Sequence, residues 1–151
     1  MIRLAREVFE EMLAHARLCD PAECCGLIGG VIEDVDACCG IARSVYRLRN
    51  IASAPRVAYE AAPEELFTAQ KTLRERGEQL LGIYHSHPRE SDPLPSQTDV
   101  RRAYYPSAIY FIVGLKGIEA KLCAFRLYER ENRWERVDYK VLDETSLNCE
   151  L

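Results

Sequence analysis

Hydrophobic and polar residues recur with two different periods along this chain, and the two periods predict helices and strands in separate segments. Apolar positions at three- and four-residue spacing predict an amphipathic helix over about residues 5–19. It should end near Asp20-Pro21, because proline disfavours helical backbone in the residue before it. A second helix opens at Pro63-Glu64-Glu65, with proline and acids in its first turn, and runs to about Arg76. A third helix is expected to start at Ser96.

The remaining apolar segments are typical of strands, with one turn expected near Gly29-Gly30. The predicted strands span residues 24–32, 37–48, 56–59, 79–87, 108–115, 120–129 and 134–142. The segment 79–87 is largely apolar on both faces, with Leu81, Ile83, His85 and His87 expected on one of them, which favours a strand in the middle of a sheet. The late strands follow one another closely and should pair antiparallel.

These elements predict an α/β fold with a mixed central sheet of six to seven strands flanked by about three helices. The 151 residues fit one domain, predicted over residues 1–142, and the polar residues 143–151 are expected to form a frayed tail. The formal net charge of −4 and the lack of a basic block argue against a nucleic-acid binder. The longest apolar run, residues 108–115, is too short to span a bilayer. With no apolar signal segment at the start, the expected location is cytoplasmic.

Seven cysteines are more than usual, and their number is odd. None forms a C-x-x-C pair, so the spacing predicts neither a zinc ribbon nor a thioredoxin-type motif. The adjacent pairs Cys24-Cys25 and Cys38-Cys39 would each offer only one ligand to a shared site, since neighbours on a strand face opposite sides. We therefore expect reduced thiols that pack as small apolar residues.

Two of the three histidines, His85 and His87, lie two residues apart. On a strand such residues point to the same face, about 6.6 Å apart at their roots for a rise of roughly 3.3 Å per residue. Two imidazoles at this separation can reach one metal ion, and burying both without a shared partner is unfavourable. Asp99 could add an anionic ligand and leave one position of a tetrahedral Zn²⁺ open, as in catalytic zinc sites. The third histidine, His15, has no such neighbours and is predicted to be an ordinary helix residue.

Ser96 and Asp99 also have a purely structural interpretation. Ser-x-x-Asp ahead of a helix resembles a capping box, with Ser96 as the N-cap and Asp99 at the third helical position. The preceding Pro95 fits a helix entry. The two roles are compatible, because the start of a helix holds its first-turn side chains rigidly. The residues alone leave both interpretations open.

The whole pattern resembles a known family. His85-x-His87-Pro88, seven residues, and Ser96-x-x-Asp99 match the spacing of the JAMM (MPN-plus) metalloprotease motif. Residues 21–30, which read PAECCGLIGG, are similar to the segment that carries the motif's upstream glutamate in bacterial members, with Glu23 at the matching position. The order of elements agrees across nearly the whole chain. The resemblance implies a single-domain, bacterial-type member with a JAMM/MPN-like, cytidine-deaminase-like architecture.

The resemblance also implies roles for individual residues. His85, His87 and Asp99 would ligate zinc, with water in the fourth position. Glu23 would accept the proton of that water as general base and later return it to the leaving amine. Ser96 would stabilise the oxyanion.

By the same resemblance, the expected reaction is hydrolysis of an amide or isopeptide bond next to the C-terminal Gly-Gly of a ubiquitin-like or sulfur-carrier protein. Two alternatives stay open: a non-catalytic MPN-type interaction module, and an amidohydrolase that acts on a small molecule. The motifs of zinc deaminases and of His-Glu-x-x-His proteases are absent from the sequence. Neither a nucleic acid nor a membrane is an expected partner, and the sequence does not fix the oligomeric state.

Overall fold

The structure, a computed structural model, describes residues 1–143 of the chain. The strands of this part are β1 (Ile2–Leu4), β2 (Cys25–Asp34), β3 (Cys39–Leu48), β4 (Gln79–His87), β5 (Ile109–Gly114), β6 (Lys121–Tyr128), β7 (Arg133–Val137) and β8 (Tyr139–Val141). The helices are α1 (Arg6–Cys19), α2 (Pro63–Glu75) and α3 (Gln97–Arg101). The mixed α/β class is confirmed. Apart from residue 143, the predicted polar tail lies outside the described residues.

The described residues form one sheet of eight strands, in the spatial order β7-β6-β5-β4-β2-β3-β1-β8, so the expectation of six to seven strands is wrong. The first strand escaped prediction because three residues carry too little alternation to be recognised. The strand predicted over 134–142 is divided at Asp138 into β7 and β8, which lie at opposite edges of the sheet. One residue joins these edges, so the sheet must curl into a nearly closed barrel.

Pairing of the late strands differs in part from the expectation. Strands β5, β6 and β7 are successive antiparallel neighbours, as predicted, but β8 pairs parallel to β1. The strand predicted over 56–59 is absent, and these residues belong to a turn-rich loop between β3 and α2. The turn predicted at Gly29-Gly30 is also absent. A β carbon on Gly30 would lie 2.0 Å from the Ile41 carbonyl oxygen, so close approach of β3 explains this glycine.

Strand β4 lies inside the sheet, antiparallel to β2 and parallel to β5. Its register with β2 skips Leu81, because Ile28 pairs with Gly82 and Gly29 pairs with Leu80. This bulge reverses the alternation of side chains. Leu81 therefore packs in the core beside α1, whereas Ile83 packs in the core on the other face. The prediction that Leu81 shares a face with Ile83 is wrong for this reason.

The two faces of the sheet carry two separate cores. Helix α1 buries Val8 and Met12 in one of them, together with Tyr84 of β4. Helices α2 and α3 contribute Ala69 and Val100 to the other, on the side of Ile83. No helix within residues 1–143 is long and apolar enough to cross a membrane.

The described cysteines behave as predicted. Cys24 and Cys25 are buried in different cores, which agrees with neighbours on a strand facing opposite sides. The six described cysteines are free thiols, and Cys149 lies outside the described residues.

His15 connects α1 to the middle of the sheet. Its Nδ1 lies 2.6 Å from the Tyr84 hydroxyl, and both residues are buried. Burial and, to a smaller extent, the nearby Arg47 lower the pKa of His15 to about 4, although Glu11 opposes them. Between about pH 4 and the ordinary imidazole pKa near 6.5, the unfolded chain therefore binds more protons at this position than the folded protein.

We expect the free energy of unfolding to fall as the pH is lowered from 7 to 5, in part because of His15. His15→Gln removes the titrating group and should make this loss smaller by about 2 kcal/mol. Urea unfolding of both proteins at the two pH values measures the difference. Equal losses in the two proteins would contradict the assignment to His15.

Candidate metal centre

Strand β4 ends in two histidines whose rings meet on one face of the sheet. His85 is completely buried and His87 is 8% exposed. Their Nε2 atoms lie 3.0 Å apart. The i, i+2 spacing on a strand therefore brings the two inward nitrogens to one point, as the sequence predicts.

A carboxylate from the first turn of α3 faces both imidazoles. Asp99 Oδ1 lies 3.2 Å from His85 Nε2, and Asp99 Oδ2 lies 3.2 Å from His87 Nε2. Burial alone would raise the pKa of Asp99, but the two histidines and the Ser96 backbone amide hold it well below its usual range. The carboxylate is therefore anionic at neutral pH.

The capping interpretation of Ser96 is confirmed. The Asp99 amide donates a hydrogen bond to Ser96 Oγ at 3.0 Å, and the Ser96 amide donates one to Asp99 Oδ2 at 2.8 Å. The capping box fixes the Asp99 carboxylate, and the same carboxylate faces the histidines. Capping and presentation of Asp99 to the histidines thus occur together.

The three groups fit a tetrahedral metal ion. For zinc bonds of roughly 2.0–2.1 Å, two ligand atoms of a tetrahedron are about 3.3–3.4 Å apart. The observed separations of 3.0–3.2 Å are close to this edge. Two nitrogen donors and one carboxylate oxygen also form a ligand set that zinc accepts. His85, His87 and Asp99 could therefore hold the metal from one side and leave its fourth position open.

Glu23 faces the same point from the segment just before β2, the strand beside β4. Because Cys25 pairs with His85 in antiparallel register, Glu23 comes opposite the end of β4. It offers a carboxylate oxygen within 4.8 Å of a ring nitrogen of each histidine, but it forms no ion pair with either among the described residues. Burial raises the pKa of Glu23 to about 7, although the nearby His87 opposes this rise. A carboxyl group set back from the ligands, with this pKa, can exchange a proton at neutral pH.

The structure thus brings together all five residues that the sequence singled out, and it adds others that sequence reasoning missed. Ser86 is completely buried, and its hydroxyl accepts a hydrogen bond from the Cys24 amide at 2.8 Å, which ties the Glu23 segment to β4. The Tyr59 ring stacks on His85, with 4.5 Å between ring centroids. No local pattern signals either contact, because each joins residues far apart in the chain.

The outer nitrogens of the two imidazoles have different surroundings. His87 Nδ1 lies beside the Glu90 carboxylate, three residues along the chain, although it forms no hydrogen bond within residues 1–143. A carboxylate that accepts a hydrogen bond from this nitrogen would keep the other nitrogen directed at a metal ion. His85 Nδ1 has no hydrogen-bond partner among residues 1–143, and stacking on Tyr59 orients this ring instead.

The site opens into a cleft of about 700 Å³. Glu23, His87, Ser96 and Asp99 line its inner part. The cleft gives a substrate access to the point where the ligand atoms converge.

A family described as the prokaryotic homologs of the JAB domain, Prok-JAB, matches residues 5–128 of the chain.

The chain belongs to the Prok-JAB family. It is 39% identical over 120 residues to a desampylase of Haloferax volcanii, a match that covers 77% of this chain and 82% of the relative. It is 35% identical over 122 residues to a probable TtuB-protein conjugate cleaving protease of Thermus thermophilus, covering 81% of this chain and 76% of that protein.

Solved structures agree with the fold of this Prok-JAB protein. The solution structure of a Desulfitobacterium hafniense protein superposes with a TM-score of 0.81 at 34% identity, covering 95% of this chain and 94% of the other. A Salinibacter ruber protein matches with a TM-score of 0.66 at 25% identity, covering 94% and 92% of the two chains.

The capping box generates a prediction about stability. Ser96→Ala removes the oxygen that accepts the Asp99 amide, so we expect the free energy of unfolding to fall by about 1 kcal/mol. Ser91→Ala is a matched control, because Ser91 is exposed and makes no hydrogen bond within the described residues. Urea unfolding measures both, and equal effects of the two substitutions would contradict the role of Ser96 as a cap.

Proposed function

We propose that this protein is a zinc-dependent peptidase or isopeptidase that hydrolyses the amide bond next to the C-terminal Gly-Gly of a ubiquitin-like or sulfur-carrier protein. The observation that carries the proposal is the convergence of His85, His87 and Asp99, with the Glu23 carboxyl group set back from them. Membership of the Prok-JAB family supports a hydrolase at this site. The catalytic domain is proposed to comprise residues 1–142.

His85, His87 and Asp99 would hold the zinc ion. When bound there, zinc would supply Lewis acidity that polarises the scissile carbonyl and lowers the pKa of water. The Asp99 carboxylate adds a negative charge that favours a divalent cation at this point. The capping box of α3 and the position of β4 inside the sheet keep the three donors in place.

Glu23 acts as the proton carrier of the reaction. It takes a proton from the attacking water and gives it to the leaving amine, so its carboxyl group needs a pKa near the working pH. Its pKa of about 7, which results chiefly from burial, meets this requirement.

Ser96 can combine its cap with a second task. A hydroxyl group has one donor and two acceptor lone pairs, and the cap uses only an acceptor. The hydroxyl proton is therefore free to donate to the oxyanion that develops on the substrate carbonyl. Such a donor is typically worth about 3 kcal/mol.

The proposed substrate follows from the relatives and from the site together. One relative is named a probable TtuB-protein conjugate cleaving protease and another a desampylase, and these names support hydrolysis of ubiquitin-like or sulfur-carrier conjugates. A Gly-Gly tail suits a reaction centre this deeply buried, because glycine has no side chain that could clash with the walls of the cleft. The tail would enter the cleft in an extended conformation.

Unpaired cations surround the cleft. Arg56, Arg89 and Arg102 line it and are exposed, and their side chains form no ion pair or hydrogen bond within residues 1–143. Exposed Val57 and Tyr104 line the same cleft beside two of them. Arginine and aromatic residues are enriched at protein interfaces. These residues would hold the folded part of a carrier whose surface around the tail is acidic.

The first test is cleavage of a carrier protein with an amino acid amide-linked to its terminal glycine, followed by mass spectrometry. The zinc-loaded wild type should release the carrier. Glu23→Gln should keep about one zinc per chain and lower the rate about 10²–10⁴-fold, because only the proton carrier is lost. Asp99→Asn should lose both zinc and activity.

Each rival function has its own outcome in this test. Folded protein that takes up no zinc from excess metal would favour an interaction module. Zinc uptake with cleavage of small amides, but of no carrier conjugate, would favour a small-molecule amidohydrolase. Loss of zinc from Glu23→Gln would assign Glu23 a structural role.

The arginines around the cleft give a separate prediction about substrate binding. Arg56→Glu and Arg102→Glu should each raise KM for a carrier conjugate several-fold and weaken its dependence on salt, with kcat little changed. A short peptide that carries only the tail should be cleaved as by the wild type. Arg130→Glu is the control, because Arg130 is exposed in the turn between β6 and β7, away from the cleft. Equal KM changes in all three variants would refute a specific role of the cleft arginines.

A further inference from the structure

The Asn50 side chain uses its whole hydrogen-bonding capacity next to the candidate site. Its Nδ2 donates to the carbonyl oxygens of Glu23 and Ala58, each at 3.0 Å. Its Oδ1 accepts from the amides of Ala52 and Glu60, each at 3.0 Å. A primary amide has two donors and two acceptor lone pairs, so all four are satisfied. The bonds join residues on both sides of Tyr59 to the backbone of Glu23.

The loop that Asn50 organises forms one wall of the site, and we name residues 50–61 the clasp. An isolated bridge between Asn50 and Ala61 closes the clasp at its base. The middle of the clasp accepts a second bond from the segment before β2, because the Glu23 amide donates to the Pro55 carbonyl at 2.7 Å. The clasp therefore holds Glu23 by both its amide and its carbonyl group.

The same loop also contacts a metal-binding candidate. The ring of Tyr59 stacks on His85, and the two residues that flank Tyr59 are both bonded to the Asn50 amide. One side chain, that of Asn50, therefore links the Glu23 backbone to both neighbours of Tyr59. Residues 51–60 belong to no helix or strand, and their other backbone hydrogen bonds are local ones, from Ile51 to Glu60 and from Val57 and Ala58 to Ala54.

We infer that Asn50 is a positioning residue that fixes Glu23 relative to His85 through the clasp. The expected effect of Asn50 on turnover rests on the proposed function, whereas its expected effect on the structure does not. Proton transfer requires the carboxyl group within hydrogen-bond reach of its target, so a shift of about 1 Å lowers the rate strongly. Asn50 is not itself among the residues that line the cleft, but its partners Glu23, Ala58 and Glu60 are. Its effect should therefore fall on kcat rather than on metal binding.

Asn50→Asp is the sharpest variant, because it keeps the shape of the side chain. Its carboxylate still accepts from Ala52 and Glu60 but cannot donate to Glu23 and Ala58. We expect kcat for the carrier conjugate to fall at least about tenfold, with zinc content unchanged. Combined with Glu23→Gln, it should cause little further loss, since residues that act through one another are non-additive.

Hydrogen exchange tests the clasp without any measurement of activity. In Asn50→Asp, with or without added zinc, the Glu23 amide should exchange at least about tenfold faster, because its bond to Pro55 depends on the loop. Tyr46→Phe is the control. It removes the hydrogen bond that the Tyr46 hydroxyl in β3 donates to Glu78, and within the described residues the Tyr46 side chain forms no hydrogen bond with the clasp. It should leave both kcat and the Glu23 exchange rate unchanged.

The outcomes separate the inference from the proposed function. A Glu23 exchange rate in Asn50→Asp equal to that of the wild type would overturn the inference, as would independent, multiplicative losses in the double variant. A wild-type protein that cleaves no carrier conjugate would overturn the proposed function, while hydrogen exchange would still decide whether Asn50 fixes Glu23. If Asn50→Asp does not fold, Asn50→Ser replaces it in the same measurements.

Discussion

The structure depends on one electrostatic arrangement, in which two imidazole nitrogens and a carboxylate face each other within 3.0–3.2 Å. His85 is fully buried, and the side chains of His87 and Asp99 are each 9% exposed. Polar groups taken out of water are unfavourable unless they share partners. A cation at their common point would satisfy the inward nitrogens and the anion together. The packing around the site is therefore best understood as the means of holding this group of donors in place.

The fold separates the task of holding the donors from that of admitting a substrate. The histidines lie on β4, which has hydrogen-bonded neighbours on both sides, and Asp99 lies in the capped first turn of α3. Rigid elements keep such groups close to their productive geometry. The outer walls of the cleft come instead from loops, including the clasp. Loops on a rigid scaffold are the usual place for substrate contacts, because their sequence can change without altering the core.

Sequence reasoning succeeded where the pattern is local. The two-residue period of a strand was enough to predict that His85 and His87 share a face. The spacing of a capping box was enough to predict the contact between Ser96 and Asp99. The position of Glu23 followed only from family resemblance, because the register of β2 with β4 brings it there. The bulge at Leu81 and the separation of β7 from β8 also depend on pairing between distant strands. Asn50 resembles any loop asparagine until the folded chain shows its four partners.

The carboxyl groups of Asp99 and Glu23 lie near the same point, but their surroundings shift their pKa values in opposite directions. Burial is the largest influence on both and raises both pKa values, but Asp99 also faces two imidazoles and a backbone amide, which overcome burial and keep it anionic. For Glu23, burial outweighs the opposing effect of the nearby His87, and Asp99 and Glu90 add to the rise, so its pKa is about 7. Environments that separate two carboxyl groups in this way assign them different roles. The permanently charged group suits a metal ligand, and the group that binds and releases a proton at neutral pH suits the general base.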